Sequence, residues 1–447
     1  MGANIIDINS SIGEFKGEYL YNVATGLITF LEETENEFSD PNVFVFISKT
    51  ADIREYGFLH EASSNGSGAG ISYEKAYKAA IGEAVERYAL SVIHIEDLVL
   101  DTYENLIKKK ISALGPETFK FFDPSQFNKI PYANFTSKTK IAWILADSIT
   151  ERKSKYIPAC INFIPYNLHY RKDGEAIIAN AVSTGCATSY NIGDAIFRGI
   201  LELIERDAFM IFWRNRLECP RIVIDESSDI FETFITKFDR PGLKYEIYDT
   251  TLDLEIPSFF GVLTDSRGDS IGRVVGGACN PNPTVAILKT LEELVQGLKW
   301  KDHKEATEMK SFPIVKDFTN IRSFENRMEL YAFNDLEEAF DFLKSSEEVP
   351  VSELEKKYNS DYSLDSIIEI FTKKGYEILV TDLTPLEVEN CNMKVVRVII
   401  PQLEIMDGDH LFPFLGGNRW RIIPKELGYK KKVSTLSDIN PYPHPYP

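Results

Sequence analysis

Twice along the chain a stretch rich in glycine and serine runs into a helical segment carrying the frame Glu-x-x-Glu-Arg, as Glu83, Glu86, Arg87 and as Glu202, Glu205, Arg206. The ten-residue blocks that begin at Ala80 and Gly199 align without a gap, with Gly68, Gly70 and Gly185 upstream. A third segment echoes them, since Gly276 and Gly277 precede 284–300, which carries Glu292 and Gln296 at the corresponding distance. Residues three or four apart share one helix face. Glu83, Glu86 and Arg87 therefore point one way, while Ile81, Ala84, Val85 and Tyr88 point the other. The second segment is apolar on nearly every side, with Ile196, Ile200, Leu201, Ile204, Phe209 and Trp213 among its residues, and its one polar stripe is Asp194, Arg198, Glu202, Glu205 and Arg206. A helix of that kind is buried, and buried carboxylates stay ionised only when paired or bound to metal. The acids exceed what pairing with so few arginines needs. Such a set suits a hard divalent cation, with arginine and loop amides facing phosphate oxygens, so the pattern predicts one site for magnesium and a nucleotide assembled from several segments.

The pieces of that site run from Gly66 to past Gln296 with no Pro/Gly/Ser-rich linker between them. A chain of 447 residues could hold about three ordinary domains, yet this spread predicts one large domain over 61–447 after a short N-terminal segment, 1–60. Within that segment the pattern predicts a helix near 19–33 and a strand at 43–47. Further β-rich runs at 141–149, 156–163, 176–183, 244–250, 257–264, 270–278, 376–381 and 395–400 alternate with long helices. The fold class is α/β (α+β), with mixed sheets and long helices forming the composite site. The acidic stretch 335–374 shows helical spacing and reads as a packed surface layer.

The formal charge of −19 disfavours a nonspecific grip on nucleic acid or anionic lipid, both of which reward clustered lysine and arginine. Five cysteines stand singly, without Cys-x-x-Cys pairs, which argues against a zinc site or a disulfide framework and for a reducing, cytoplasmic setting. The N-terminal residues lack a basic and then apolar signal, and no apolar run is long enough to span a bilayer. There is no Walker phosphate loop, and 65–70 resembles a dinucleotide fingerprint in composition alone. His410, near Asp407 and Asp409, reads as a surface histidine.

The sequence ends Pro-Tyr-Pro-His-Pro-Tyr-Pro over 441–447. Proline at every second position favours an extended rod of about 3 Å per residue.

Together, the small-residue stretch at Gly68, Ala69 and Gly70, the Glu83/Glu86/Arg87 helix, the turn at Ser183, Thr184 and Gly185, the Glu202/Glu205/Arg206 helix, Glu292 with Gln296, the strand bearing Arg397 and Pro401, and the proline tail resemble the YcaO family. More narrowly they resemble its azoline-forming cyclodehydratases, which modify ribosomally made peptides. The resemblance covers roughly 61–447 and implies ATP and Mg2+ as cofactors. It implies Glu83, Glu202, Glu205 and Glu292 as magnesium ligands, and Glu86, Asp194, Arg206 and Gln296 as nucleotide contacts. It further implies that the tail enters the active site, where the Pro447 carboxylate acts as a base. Ala69, Ala79 and Thr184 depart from residues frequent in the wider family, namely lysine, serine and asparagine.

By the same resemblance, a Cys, Ser or Thr side chain of a precursor peptide attacks the preceding carbonyl. Phosphorylation of the former amide oxygen then creates the leaving group, and a thiazoline or oxazoline results. A separate leader-peptide-binding scaffold is the implied partner, with a flavin dehydrogenase and pairing as a homodimer as further associations. Thioamide or amidine formation, and a non-catalytic peptide-binding scaffold, are the alternative readings. The intact acidic set argues against the scaffold, and the proline tail argues against the other two chemistries.

Overall fold

A computed structural model describes residue 6 and residues 15–56, 65–166, 171–267, 272–306, 311–358 and 362–447. The N-terminal residues read for a targeting signal and the start of the expected domain at 61–64 lie outside them.

Three sheets carry the fold. The first joins β1 (Ile28–Glu33), β2 (Phe44–Thr50) and β3 (Asn65–Gly70) as antiparallel neighbours. The second is built from β4 (Val99–Thr102), β5 (Lys140–Ser148), β6 (Lys153–Pro158), β7 (Cys186–Ser189), β13 (Leu379–Asp382) and β14 (Lys394–Ile399), in the order β4-β5-β13-β14-β7 with β6 also paired to β5. The third is built from β8 (Arg221–Val223), β9 (Leu243–Asp249), β10 (Ser258–Asp265), β11 (Gly272–Cys279) and β12 (Glu348–Pro350), in the order β11-β10-β9-β8-β12.

Each sheet delivers one strand, through a short turn, into one long helix. β3 leads to α1 (Tyr73–Ser91), β7 to α2 (Ile192–Asn215) and β11 to α3 (Pro283–Ala306). The turns end on side chains that accept a backbone amide and start the helix. Ser72 accepts from Lys75 N, Asn191 from Asp194 N, and Asn282 from Val285 N.

The glycine-rich stretch at 65–70, absent from the expected β-rich runs, is strand β3. Its glycines alternate because one strand face must lie directly on helix backbone. A Cβ at Gly68 would come within 2.3 Å of Ala80 N, and one at Gly66 within 2.9 Å of Ala84 N. Gly276 and Gly277 likewise lie within strand β11. β1 and β2 share the sheet with β3, so 28–50 are built into the same unit as α1.

Other expectations divide. The strands expected at 43–47, 141–149, 244–250, 257–264 and 395–400 are present. That at 270–278 is present from Gly272, residues 270 and 271 lying outside the described set. The helix expected near 19–33 is a short turn, Gly17–Leu20, followed by β1. Ile28 and Leu31 are buried beside exposed Glu32 and Glu33, and the antiparallel pairing with β2 outweighed the helical reading. Residues 176–183 form no strand; their backbone is tied down locally, with Ala176 N donating to Lys140 O and Ala133 N to Ile177 O. The stretch 335–374 mixes a tight turn, β12 and two helices, Val351–Lys357 and Leu364–Lys373.

Replacing Gly68 by alanine should lower stability by roughly 2 kcal/mol or more through overpacking against α1. A thermal or urea unfolding comparison checks this; an unchanged midpoint would contradict the close approach.

Candidate active site

The three long helices bring carboxylates together at one site, and each helix repeats the same bond. Glu83 Oε2 accepts from Ser67 N in β3 at 2.7 Å. Glu202 Oε2 accepts from Gly185 N, just before β7, at 2.9 Å. Glu293 Oε2 accepts from Gly277 N in β11 at 3.2 Å. The amide lies 16, 17 and 16 residues before its glutamate in turn, so each carboxylate reaches back across the turn to the strand feeding its own helix. Gly185 has φ +89, a region that favours glycine.

The second glutamate of each frame faces inward. Glu86 Oε1 accepts from Thr188 N in β7 at 2.7 Å, which ties α1 to the α2 unit. Desolvation, with the nearby Glu202 and Glu83 charges, pushes the Glu86 carboxyl up to about 8. Glu205 is 3% exposed; burial, aided by Glu293, pushes it up to about 7 although Arg206 pulls the other way. Burial also raises the Glu293 carboxyl, which Lys289 and Arg206 oppose. Burial dominates these groups, so Glu86 and Glu205 hold protons near neutral pH in the metal-free protein.

Arg206 is held without being saturated. Its Nε lies 3.1 Å from Glu205 Oε1, yet that nitrogen is buried with no aligned hydrogen bond, and Nη1 points at Met406 Sδ, 3.7 Å away. Its guanidinium also covers the ring of Tyr446 at 4.1 Å. Lys289, on α3, lies 3.8 Å from Glu293.

The structure redistributes the residues singled out from sequence. Glu83, Glu86, Glu202, Glu205 and Arg206 come together. Gln296 donates its amide to Ser67 Oγ, beside the Glu83 bond. Glu292 is 2% exposed and engaged elsewhere: Lys75 Nζ lies 2.6 Å from its Oε2, and Ile71 N donates to Oε1 at 3.1 Å. Consecutive helix positions point about 100° apart, so Glu293 rather than Glu292 stands where Glu83 and Glu202 stand in their helices. Asp194 is exposed two turns before Glu202 and caps α2 with Asn191. Arg397 is spent on structure: it donates to Thr184 O at 2.6 Å, to Val182 O at 2.7 Å and to Ile161 O at 3.1 Å, fixing the turn before Gly185. Ala69 lies within β3, and Ala79 is exposed on α1.

The tail runs inward. Trp213 Nε1 donates to Tyr442 O at 3.1 Å, Tyr331 Oη to Pro443 O at 2.6 Å, and His444 Nε2 lies 2.8 Å from Asp407 O. Tyr446, 1% exposed, then donates its hydroxyl to Glu205 Oε1 at 2.7 Å, and Pro447 is exposed beyond it. Sequence reasoning missed Glu293 and Tyr446. The match of Glu293-x-x-Gln296 to the spacing of the two Glu-x-x-Glu frames was the signal for the first.

Among the described residues no three acidic, histidine or cysteine groups already form a metal cage, because each carboxylate is turned to an amide or a cation. The donor set still fits a metal–nucleotide complex. Carboxyls raised by burial can exchange their protons for a hard cation, and an arginine with an orphaned buried nitrogen suits a phosphate. Also among the described residues, no helix is long and apolar enough to cross a membrane, and all five cysteines are free and buried.

The sequence profile of the family described as YcaO cyclodehydratase, ATP- and Mg2+-binding, matches residues 67–404. The chain belongs to the YcaO family, and its cofactors are ATP and Mg2+. A solved heterocyclase in complex with substrate and cofactor superposes with a TM-score of 0.77 at 22% identity, covering 100% of this chain, which spans 60% of that one. YcaO from Methanopyrus kandleri, bound with AMPPCP and Mg2+, gives a TM-score of 0.58 at 18% identity over 84% of this chain and 86% of that one. An uncharacterized protein of Methanothermobacter thermautotrophicus is 24% identical over 352 residues, 77% of this chain and 82% of its own length. The fold is that of the YcaO heterocyclases.

The raised carboxyls predict the pH response of the metal-free protein. Between about 4.5 and 8 the folded state holds protons on Glu86 and Glu205 that the unfolded state has released, so stability falls as pH rises through that window. Glu86→Gln should flatten the decline and stabilise the metal-free protein at pH 8 by roughly 1 kcal/mol or more. Melting curves at pH 5 and pH 8 check the sign; a wild-type midpoint that rises over this range would contradict it.

Proposed function

We propose that the chain converts Cys, Ser or Thr residues of a ribosomally made precursor peptide to thiazoline or oxazoline. The supporting observation is the docking of the proline tail against Glu205 and Arg206, which brings a peptide-like rod to the wall of the cleft where the carboxylates converge. Glu83, Glu202, Glu205 and Glu293 would hold Mg2+. Glu86, Arg206 and Gln296 would face the nucleotide, and Asp194 would act from the exposed start of α2. Glu292 would act through Lys75, orienting the start of α1 against α3.

In the proposed reaction the side-chain sulfur or oxygen forms a bond to the preceding carbonyl carbon and gives up its proton to a base. ATP bound in the cleft supplies the phosphoryl group that turns the former amide oxygen into a leaving group. Loss of that oxygen as phosphate and of the amide proton closes the C=N bond, so the peptide loses one water in all. Arg206 would oppose charge that develops on oxygen. The Pro447 carboxylate, one residue beyond Tyr446, is proposed as the base. A separate scaffold protein that binds the leader peptide is the proposed partner.

Mass spectrometry of a candidate precursor peptide incubated with the protein, ATP, Mg2+ and the scaffold tests the reading. The expected result is loss of about 18 Da per modified residue with matching ADP and phosphate, which the Tyr446–Pro447 deletion abolishes and Glu202→Gln lowers at least about 100-fold. Exchange of sulfur for oxygen in the product would replace this reading with thioamidation, and full ring formation by the truncated protein would remove the role of the tail.

A further inference from the structure

The tail is anchored at three successive points before it reaches the cleft, at Tyr442 O, Pro443 O and His444. Those anchors fix where Tyr446 arrives. Its ring lies 4.4 Å from that of Phe209 and is covered by Arg206, while its hydroxyl reaches Glu205 Oε1. A space has been left for that hydroxyl: a Cβ on Gly277 would meet it at 2.3 Å, as well as Phe259 O at 2.5 Å. Gly277 is also the residue whose amide holds Glu293. One phenol therefore touches a carboxylate and an arginine of α2 and the strand position that orients the carboxylate of α3.

We propose that Tyr446 is a positioning residue that couples docking of the tail to filling of the metal–nucleotide site, each raising the affinity of the other. The inference rests on the ATP-dependent reading and adds a reciprocal link between two of its parts. Both described contacts of Glu205 fall on Oε1, from Tyr446 Oη and Arg206 Nε, which leaves Oε2 to a cation. The hydroxyl thus holds the carboxylate in one orientation before the cation arrives. A cation that fixes Glu205 in turn fixes the acceptor on which the end of the tail depends. Arg206 is shared in the same way, with one face on the Tyr446 ring and its edge toward the cleft. Coupling of this kind is reciprocal by linkage.

The test compares full-length wild type with Tyr446→Phe, which keeps the ring and its packing and removes only the hydroxyl. Calorimetry measures binding of the magnesium complex of AMPPCP, and hydrogen exchange follows the tail amides of Tyr442, His444 and Tyr446 with and without it. The phenylalanine variant should bind about 5- to 30-fold more weakly. In the wild type the nucleotide complex should slow tail exchange by a similar factor, and in the variant that slowing should be largely lost. Equal affinities for the two proteins would overturn the coupling and leave the ATP-dependent reading standing, as would tail exchange indifferent to nucleotide. A lower melting point with unchanged nucleotide affinity would also overturn it, since that is what a purely structural contact gives. Failure of the wild type to bind the complex at all would overturn the reading and the inference together.

Discussion

The structure depends on one bond made three times, a helix glutamate accepting the amide of the strand that leads into its own helix. At Glu83, Glu202 and Glu293 this bond fixes the angle between strand and helix and turns an acidic face toward the common cleft. Charge-assisted bonds of this type are stronger than neutral ones, and here they hold carboxylates close together against their repulsion. Burial, with a smaller contribution from neighbouring acids, raises the carboxyls of Glu86, Glu205 and Glu293. Carboxyls raised by burial on rigid elements are prepared to exchange protons for a cation, and Mg2+ with ATP is the load its family carries.

A second network keeps the tail in reach of that cleft. Arg214 pairs with Glu404 and Asp407, Arg327 with Asp407, and Arg419 with Asp207 and Asp253, nearly all of them buried. Asp207 directly follows Arg206, so the C-terminal half of α2 is clamped to 401–420 beside the site. Buried ion pairs add little net stability once desolvation is counted. Their contribution here is register: Asp407 also receives His444, so the tail is aligned by the same group that aligns α2 with the loop.

Much of this was legible in the sequence because side-chain period reports on helix faces. The two Glu-x-x-Glu-Arg frames and the buried character of α2 were readable there, while the inward path of the tail came from the family resemblance alone. On the third helix the repeated strand bond falls on Glu293, one position beyond the Glu292 singled out from sequence. Glu292 and Glu293 are adjacent, and composition cannot say which of two neighbouring acids faces the cleft until packing shows Lys75 taking the first. The glycine-rich stretch before α1 carried no strand signal because glycine is common in turns, whereas 270–278 did read as a strand. In β3 and β11 glycine answers instead to a helix backbone or a tyrosine hydroxyl lying where a Cβ would be. Residues 28–33 read as helical because their strand character comes from pairing with β2, a partner outside any local window. Tyr446 carried no signal of its own, since its partners lie about 170 and 240 positions away.

The central claim is that three helices from three strand–helix units share one metal–nucleotide site. Its most direct test is a crystal structure of the protein soaked with Mn2+ and AMPPCP, with the anomalous signal locating the metal. The account predicts manganese ligated by carboxylates from at least two of the three helices, with Glu293 in the set and Glu292 still on Lys75. Manganese held by residues of a single helix, or by Glu292 in place of Glu293, would contradict it.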